Sequence, residues 1–115
     1  MKLTTQKDYE QFKEACQYWI DYFGFHDWAV CYEWRKCEDA QANFWIDHQG
    51  KIVTIRLHKG YVTSPIENIA RHEIIESLLL DKIERMAMER RYTAEDIAEE
   101  IHRITRILEN RLRRG

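Results

Sequence analysis

The segment from Ser64 to Leu80 (SPIENIARHEIIESLLL) constrains the fold more than any other part of the 115-residue chain, because it combines a helix start signal with helical periodicity. Ser64 has the residue type of an N-cap, Pro65 suits the first helical position and Glu67 the third, so the three resemble a capping box. The apolar residues that follow recur at helical spacing. We therefore predict a helix that starts here and continues to about Arg90.

Two polar residues interrupt the apolar face of this predicted helix. The face is formed by Ile69, Leu79, Leu80, Ile83 and Ala87. At about 100° per residue, His72 and Glu76 fall in the middle of this stripe, Glu73 falls at its border and Ile74 points elsewhere. His72 and Glu76 are thus one turn apart on the side of the helix that we predict to be buried.

An ionised carboxylate on a buried face costs several kcal/mol unless another group compensates for the lost water. A cationic partner, protonation or a metal ion provides this compensation. A divalent cation serves both groups at once, because neutral imidazole and carboxylate are zinc ligands and the i, i+4 spacing presents both to one ion. The alternative is that His72 and Glu76 form a polar pair at a contact between helices.

The first part of the chain predicts another helix. Thr5 and Asp8 resemble a capping box, although Asp replaces the usual Glu or Gln. The apolar residues after them recur at helical spacing, which predicts a helix over Gln6–Phe23, and Gly24 is suited to end it.

The middle of the chain has the composition of β-strands. The stretches with this character are 28–36, 41–47 and 51–59. In the last of them Val53, Ile55 and Leu57 alternate with polar residues, which is typical of an antiparallel sheet with one solvated face. We predict a three-stranded antiparallel meander, followed by the helix at 64–90 and a last helix from Thr93 almost to the C-terminus. The prediction is a single α+β domain over residues 1–115 with the order α-β-β-β-α-α.

Composition excludes several classes of protein. The net charge of −2, from 18 basic and 20 acidic residues, disfavours nucleic acid as a partner. No apolar run has the length of a membrane span, and the N-terminus lacks the apolar region of a secretion signal. Cys16, Cys31 and Cys37 are an odd number without CxxC spacing, which favours a reducing compartment. We predict a cytoplasmic protein without a membrane partner.

The stretch HEIIE (72–76) resembles the H-E-x-x-H helix of zincin metallopeptidases, with Glu in place of the second His. The order of predicted elements also resembles the minimal gluzincin-like and SprT-like domains of short phage and prophage proteins. The specific motif covers five residues, whereas the similarity in the order of elements covers most of the chain.

The resemblance implies a zinc metallopeptidase, which hydrolyses a peptide or protein substrate. It implies that His72 and Glu76 are metal ligands and that Glu73 is the general base that activates a metal-bound water. Arg71 and Tyr92 are candidates for stabilising the oxyanion. The carboxylate of Glu76 makes the site harder than two imidazoles would, so manganese and iron are alternatives to zinc.

A zinc site needs at least a third protein ligand, and the last helix is its expected source. On the wheel of that helix, Glu100 and His102 fall near opposite borders of the apolar stripe and Glu99 falls farther from it. Imidazole is the commonest metal ligand, and HRITRILEN (102–110) resembles the C-terminal helix of the short phage proteins. We predict His72, Glu76 and His102 as the metal ligands, with Glu99 and Glu100 as alternatives to His102.

Two further hypotheses retain a folded domain without hydrolysis. The first is a catalytically inactive phage or prophage module that binds or regulates a partner, in which His72 and Glu76 form a structural metal site or a hydrogen-bonded pair. The second is a small partner-binding protein without a metal, which uses its aromatic first helix and the loop FGFHDW (23–28) as an interface.

Overall fold

The computed structural model describes residues 1–90 and 93–112. In chain order the elements are β1 (Lys2–Leu3), α1 (Gln6–Phe23), β2 (Ala29–Arg35), β3 (Ala42–Asp47), β4 (Ile52–His58), β5 (Tyr61–Val62), α2 (Ile66–Ile74), a π-helical segment (Ile75–Leu80), α3 (Asp81–Met88) and α4 (Ala94–Arg111). This mixture of helices and strands confirms the predicted α+β class. Within the described residues, no helix has both the length and the apolar character that crossing a membrane requires.

Helix α1 begins and ends where the sequence predicts. The Thr5 side chain accepts a hydrogen bond from the Asp8 N–H, and the Asp8 carboxylate accepts one from the Thr5 N–H, which completes the capping box. Gly24 ends the helix in the left-handed region, with φ of 79°, where glycine has no steric penalty. The apolar face of α1 is buried against α2, and Phe12 and Trp19 are among the largest buried side chains.

The predicted antiparallel meander is wrong in its strand order. The sheet has the order β2-β4-β3, with β4 in the centre. Strand β3 pairs with β4 in antiparallel register, but β2 pairs with β4 in parallel register, so that Ala29 lies opposite Ile52 and Arg35 opposite His58. The sheet is therefore mixed, and β3 is an edge strand. A separate two-stranded pair forms between β1 and β5.

The lengths of the connections explain this order. Strands β3 and β4 form a hairpin through the turn at 48–51, whereas residues 36–41 carry the chain from β2 past the end of β4 to β3. Six extended residues reach about 20 Å, which is more than the roughly 10 Å between strands on either side of a central one. The central position suits β4, because Val53, Ile55 and Leu57 are completely buried.

Helix α2 starts one residue later than the predicted capping box implies. Ile66 is its first residue and Pro65 its N-cap, without a side-chain hydrogen bond. Ser64 does not cap the helix, because its hydroxyl accepts a hydrogen bond from Gln41 Nε2 at 3.0 Å and its N–H donates to Gln41 Oε1 at 2.9 Å. The prediction of Ser64 as N-cap was therefore wrong.

The face of α2 that enters the core also differs from the predicted one. Ile74 and Ser77 are completely buried and Glu73 is only 6% exposed, because α1 packs against this side of the helix. His72 and Glu76 lie beside this face, with side-chain exposures of 33% and 22%. Small residues such as Ser77 allow a neighbouring helix to approach but add little to a hydrophobic pattern, so the sequence indicated the wrong centre for the core face.

The predicted continuous helix over 64–90 is divided by the π-helical segment. A π turn accommodates one extra residue, so the residues after it are rotated by about 100° relative to a continuous α-helix. Ile83, predicted in the buried stripe, is therefore 56% exposed, which contradicts that prediction. Asp81 is buried instead, where its carboxylate contacts His48 Nε2 at 2.7 Å and accepts a hydrogen bond from Arg85 Nε at 2.8 Å.

Helix α4 packs against the π-helical segment. The Thr93 hydroxyl accepts a hydrogen bond from the Asp96 N–H at 3.0 Å, which confirms the predicted start of this helix. Ile97 and Ile101 are buried in a second, smaller apolar cluster between the two elements. Helix α4 is thereby held beside the part of the chain that contains Glu76.

Candidate metal centre

A cavity of about 480 Å³ lies between four parts of the chain, which are α2, the π-helical segment, α4 and the loop before β3. His72 and Glu73 come from the last turn of α2 and Glu76 from the π-helical segment. His102 and Glu109 reach the cavity from α4. The packing of the helices thus brings together residues that are 26 to 37 positions apart in the chain.

His72, Glu73 and Glu76 form a group that could hold a metal ion. One ligand atom from each lies within 4.8 Å of those of the other two. His72 Nε2 is 3.2 Å from Glu76 Oε1. Two ligands of a tetrahedral zinc with bonds of about 2.0–2.1 Å lie roughly 3.3 Å apart, so the observed separation suits a shared ion. The predicted use of the i, i+4 spacing is therefore compatible with the geometry.

Glu73 is the most deeply buried member of the group. Its side-chain atom Oε2 is inaccessible and has no hydrogen-bond partner among the residues that the structure describes. Burial, and to a lesser extent the charge of Glu76, raise the pKa of Glu73 to about 8, while His72 acts in the opposite direction. A buried and unpartnered carboxylate oxygen is costly for stability, and such groups recur at sites where a ligand or a reaction uses them.

His72 is held between two carboxylates. Its Nε2 faces Glu76 at 3.2 Å and its Nδ1 contacts Glu109 Oε1 at 2.9 Å. The hydrogen bond with Glu76 raises the pKa of His72 to about 9; burial opposes this rise, and the Glu76 charge and Glu109 reinforce it. In the metal-free protein the imidazole is therefore protonated near neutral pH, and a metal bound at Nε2 would have to displace that proton.

Glu109 is a residue of the site that the sequence analysis did not select. It lies seven residues after His102 on α4, so the two share a face of that helix. The helical wheel that placed His102 near the border of the apolar stripe places Glu109 about 20° from His102. The shared helix face was the signal by which the sequence could have indicated Glu109 as a site residue. The sequence does not reveal, however, that His72 lies opposite Glu109.

The three candidates for a third ligand have different surroundings. His102 is exposed and is one of the residues that line the cavity, but it is not part of the group of close ligand atoms formed by His72, Glu73 and Glu76 among the described residues. Glu100 is exposed and forms an ion pair with Arg103, in which Nε lies 3.1 Å from Oε2. Glu99 is exposed as well, and among the described residues neither Glu99 nor Glu100 lines this cavity.

The candidates for oxyanion stabilisation receive no support from the described geometry. Arg71 Nη1 donates a hydrogen bond to the Leu112 carbonyl at 3.0 Å, and Arg71 is not among the described residues that line the cavity. Tyr92 lies outside the described residues.

The π-helical segment shapes the surroundings of Glu76. Such segments within α-helices occur frequently at functional sites. Because this one begins one residue before Glu76, the extra residue turns Glu84 toward the same side of the helix. Burial and the charges of Asp81 and Glu76 raise the pKa of Glu84, and Arg85 and His102 oppose the rise. The acidic environment thus extends from α2 into α3.

The metal-free protein is expected to lose stability as the pH rises from about 7 to 9. His72 has a pKa raised from 6.5 to about 9, so its contribution is present below pH 6.5 and is lost as the pH rises through 9. Glu73 has a pKa raised from 4.5 to about 8, so its contribution is present below pH 4.5 and is lost as the pH rises through 8. Between pH 4.5 and about 9 the folded state therefore binds more protons than the unfolded state. Urea denaturation with a chelator at several pH values measures how the unfolding free energy changes with pH.

Glu73→Gln is the control for this pH dependence, because it removes one of the two titrating groups and keeps the shape of the side chain. Its unfolding free energy is expected to fall less steeply over the same pH range. A wild-type unfolding free energy that stays constant or increases between pH 6.5 and 9 would contradict the pKa values of His72 and Glu73.

Known proteins do not identify this arrangement. No protein-family model, curated protein or solved structure matches the chain. An interpretation of the site therefore depends on the positions and the chemistry of His72, Glu73, Glu76, His102 and Glu109.

Proposed function

We propose that this protein is a metal-dependent hydrolase of the zincin metallopeptidase type. The observation that supports this proposal is the convergence of His72, Glu73 and Glu76 at one cavity, together with the buried and unpartnered Oε2 of Glu73. A pair formed only for stability would not require a third, desolvated carboxylate beside it. The combination of ligand types with a buried acid of raised pKa is the one that metal-assisted hydrolysis needs.

In this proposal His72 Nε2 and Glu76 hold the metal, and His102 supplies the third ligand. When bound, a divalent cation supplies Lewis-acid polarisation of the scissile carbonyl. Ionised Glu73 accepts the proton of the attacking water and later returns it to the leaving nitrogen. A pKa of about 8 suits both steps, because a general base works best when its pKa is near the operating pH.

A peptide or protein is the substrate class that suits the charge of the cavity. The lining includes the carboxylates of Asp39, Glu73, Glu76 and Glu109, and no Lys or Arg among the described residues. A phosphate ester or nucleic acid would be repelled by these carboxylates, whereas a neutral amide bond would not. The acidic lining therefore favours peptide hydrolysis over phosphate chemistry.

Zinc is the proposed cofactor, with manganese and iron as alternatives. The imidazole ligands favour zinc, and the Glu76 carboxylate is also suited to manganese or iron. Cys16, Cys31 and Cys37 are free thiols, so they are suited to a reducing compartment such as the cytoplasm.

Hydrolysis of a quenched-fluorescence peptide library tests the proposed function. Protein loaded separately with zinc, manganese or ferrous iron is incubated with the library, with a chelator as one control and His72→Ala as the other. We expect cleavage with at least one metal and none in either control. Stoichiometric metal binding without cleavage of any peptide would favour the inactive module instead.

His102→Ala tests the third ligand. Structural zinc contributes about 10–16 kcal/mol through four ligands, or roughly 3 kcal/mol per ligand, so the variant is expected to bind metal at least about a hundredfold more weakly. Glu100→Ala is the matched control on the same helix, because its partner is Arg103 at the surface. Calorimetric titration with zinc measures the metal affinity of both variants. Equal affinities of His102→Ala and the wild type would exclude His102 as a ligand.

The inactive binding or regulatory module is the second candidate function. It is favoured by the two carboxylates at His72, because Glu76 and Glu109 already provide partners for both ring nitrogens. In that case His72 is the cation of a polar cluster between α2 and α4. If the module holds no metal, its melting temperature is expected to be the same with and without a chelator.

A further inference from the structure

The contact between Glu109 and His72 defines which ring nitrogen of His72 is available to a metal. Glu109 Oε1 lies 2.9 Å from Nδ1, and the two side chains are 20% and 33% exposed. In a neutral imidazole one nitrogen is a donor and the other an acceptor. Because an ionised carboxylate only accepts hydrogen bonds, Glu109 favours a proton on Nδ1, as Glu76 favours one on Nε2 in the metal-free protein. When a metal takes the place of the Nε2 proton, Glu109 keeps the remaining proton on Nδ1. The lone pair of Nε2 then points toward Glu76.

Glu109 is poorly placed to be a ligand of the same ion. The two nitrogens of an imidazole point in different directions, and Glu109 lies at Nδ1 whereas Glu76 lies at Nε2. Both Glu109 and His102 lie outside the group of close ligand atoms among the described residues, but Glu109 also lies at the ring nitrogen that faces away from Glu76. Its carboxylate is therefore in position to act on His72 and not on the metal directly.

We propose that Glu109 is a positioning residue, which fixes the tautomer and ring orientation of His72 so that Nε2 binds the metal. This role rests on the metal site proposed above. Metal-binding histidines commonly donate their second N–H to a carboxylate, and loss of that partner typically weakens metal binding 10–100-fold. Glu109 also joins α4 to α2 at the site. Because His102 lies on the same face of α4, the contact holds His102 at the cavity as well.

The surrounding contacts favour a fixed position for Glu109. Arg71 on α2 donates to the carbonyl of Leu112, three residues after Glu109, at 3.0 Å. Thr105, one turn before Glu109, is completely buried. The Arg71 hydrogen bond thus holds the end of α4 against α2 just after Glu109, and the buried Thr105 anchors the helix one turn before it, so we expect the Glu109 carboxylate to need little rearrangement when metal binds.

Cobalt(II) binding to the full chain tests this role. Affinity is measured by competition with a chromophoric chelator, and the visible absorption spectrum of bound cobalt reports the ligand geometry. Glu109→Ala is expected to bind cobalt about 10–100-fold more weakly than the wild type. Glu109→Gln is expected to lose less, because its amide oxygen accepts the hydrogen bond from Nδ1–H. Glu95→Ala, an exposed acid on the same helix, controls for the loss of one negative charge.

A spectroscopic signature separates positioning from a purely structural role. In the cobalt-loaded wild type, the Nδ1–H proton of His72 is expected to give a shifted and slowly exchanging proton resonance. In Glu109→Ala this proton is expected to exchange faster, and in Glu109→Gln protection is expected to be partly restored. Glu109→Met has a side chain of similar length without a strong hydrogen-bond acceptor, so it replaces Glu109→Ala in this test if that variant fails to fold.

The possible failures are distinguishable. Cobalt affinities of Glu109→Ala and Glu109→Gln within twofold of the wild type, with unchanged Nδ1–H exchange, would overturn the role of Glu109 alone. Absence of cobalt binding by the wild type would overturn the proposed function, and the role of Glu109 with it.

Discussion

Glu73→Gln is expected to lower the rate of peptide hydrolysis by roughly 10²–10⁴-fold while metal remains bound. Glutamine has nearly the same shape as glutamate, but its amide cannot accept the proton of the attacking water. His72 Nε2 and Glu76 Oε1 lie 3.2 Å apart in the wild type, and the substitution changes neither residue, so we expect the metal site to keep its principal ligands. Hydrolysis rates and metal content, measured on the same preparation, test both parts of the expectation.

Glu84→Gln is the matched control for this variant. Glu84 also has a raised pKa and lies near Glu76, but it is not among the described residues that line the cavity. We expect it to keep most of its hydrolytic activity. Full activity in Glu73→Gln would show that Glu73 is not the general base, even if the protein proves to be a metal-dependent hydrolase.

The second large effect is expected for His72→Ala, which should weaken metal binding by about 10²–10³-fold. This range follows from roughly 2.5–4 kcal/mol for each ligand of a structural zinc site. The substitution also leaves Glu76 and Glu109 without the cation that lies between them, so the metal-free variant should be less stable than the wild type. Titration with zinc measures the affinity, and urea denaturation with a chelator measures the stability.

Two further variants make this result interpretable. His26→Ala removes an exposed histidine that is far from α2 in the sequence, and it should bind metal as the wild type does. His72→Gln keeps a polar side chain at the site and provides a folded variant if His72→Ala is too unstable to purify. Wild-type metal affinity in His72→Gln would contradict the assignment of His72 as a ligand.

Local signals in the sequence were sufficient to locate most elements. The capping residues Thr5 and Asp8, the glycine at 24 and the cap at Thr93 each act through neighbouring backbone groups, so their effect is visible without knowledge of the fold. The spacing of His72 and Glu76 is also a local signal, which can be recognised without knowledge of the fold. One helical turn brings such residues together wherever the helix is placed.

Contacts between distant segments could not be predicted in the same way. Alternating residues identify β4 as a strand, but they do not show that it lies between β2 and β3. The π-helical segment has no evident signature in IESLLL, and it changed the orientation of Ile83. The contact of Glu109 with His72 depends on how α4 crosses α2. Each of these features is determined by packing rather than by local propensity.

The burial of Glu73 is the most instructive difference. The wheel placed Glu73 at the border of the apolar stripe and His72 with Glu76 at its centre, whereas Glu73 is 6% exposed and the other two are half-buried. The reason is that α1 covers the side of α2 that carries small residues, which a hydrophobic pattern underestimates. The residue proposed as the base thereby lies in the driest part of the site, where its pKa is raised.

The metal content of the wild-type protein is the most direct test of the account. The protein is purified without a chelator or a histidine tag and analysed by plasma mass spectrometry, before and after incubation with zinc, manganese or ferrous iron. We expect about one equivalent of a divalent metal per chain, as one site of His72, Glu76 and His102 requires. Absence of stoichiometric metal under all these conditions would contradict the metal centre and would leave His72, Glu76 and Glu109 as a polar cluster between two helices.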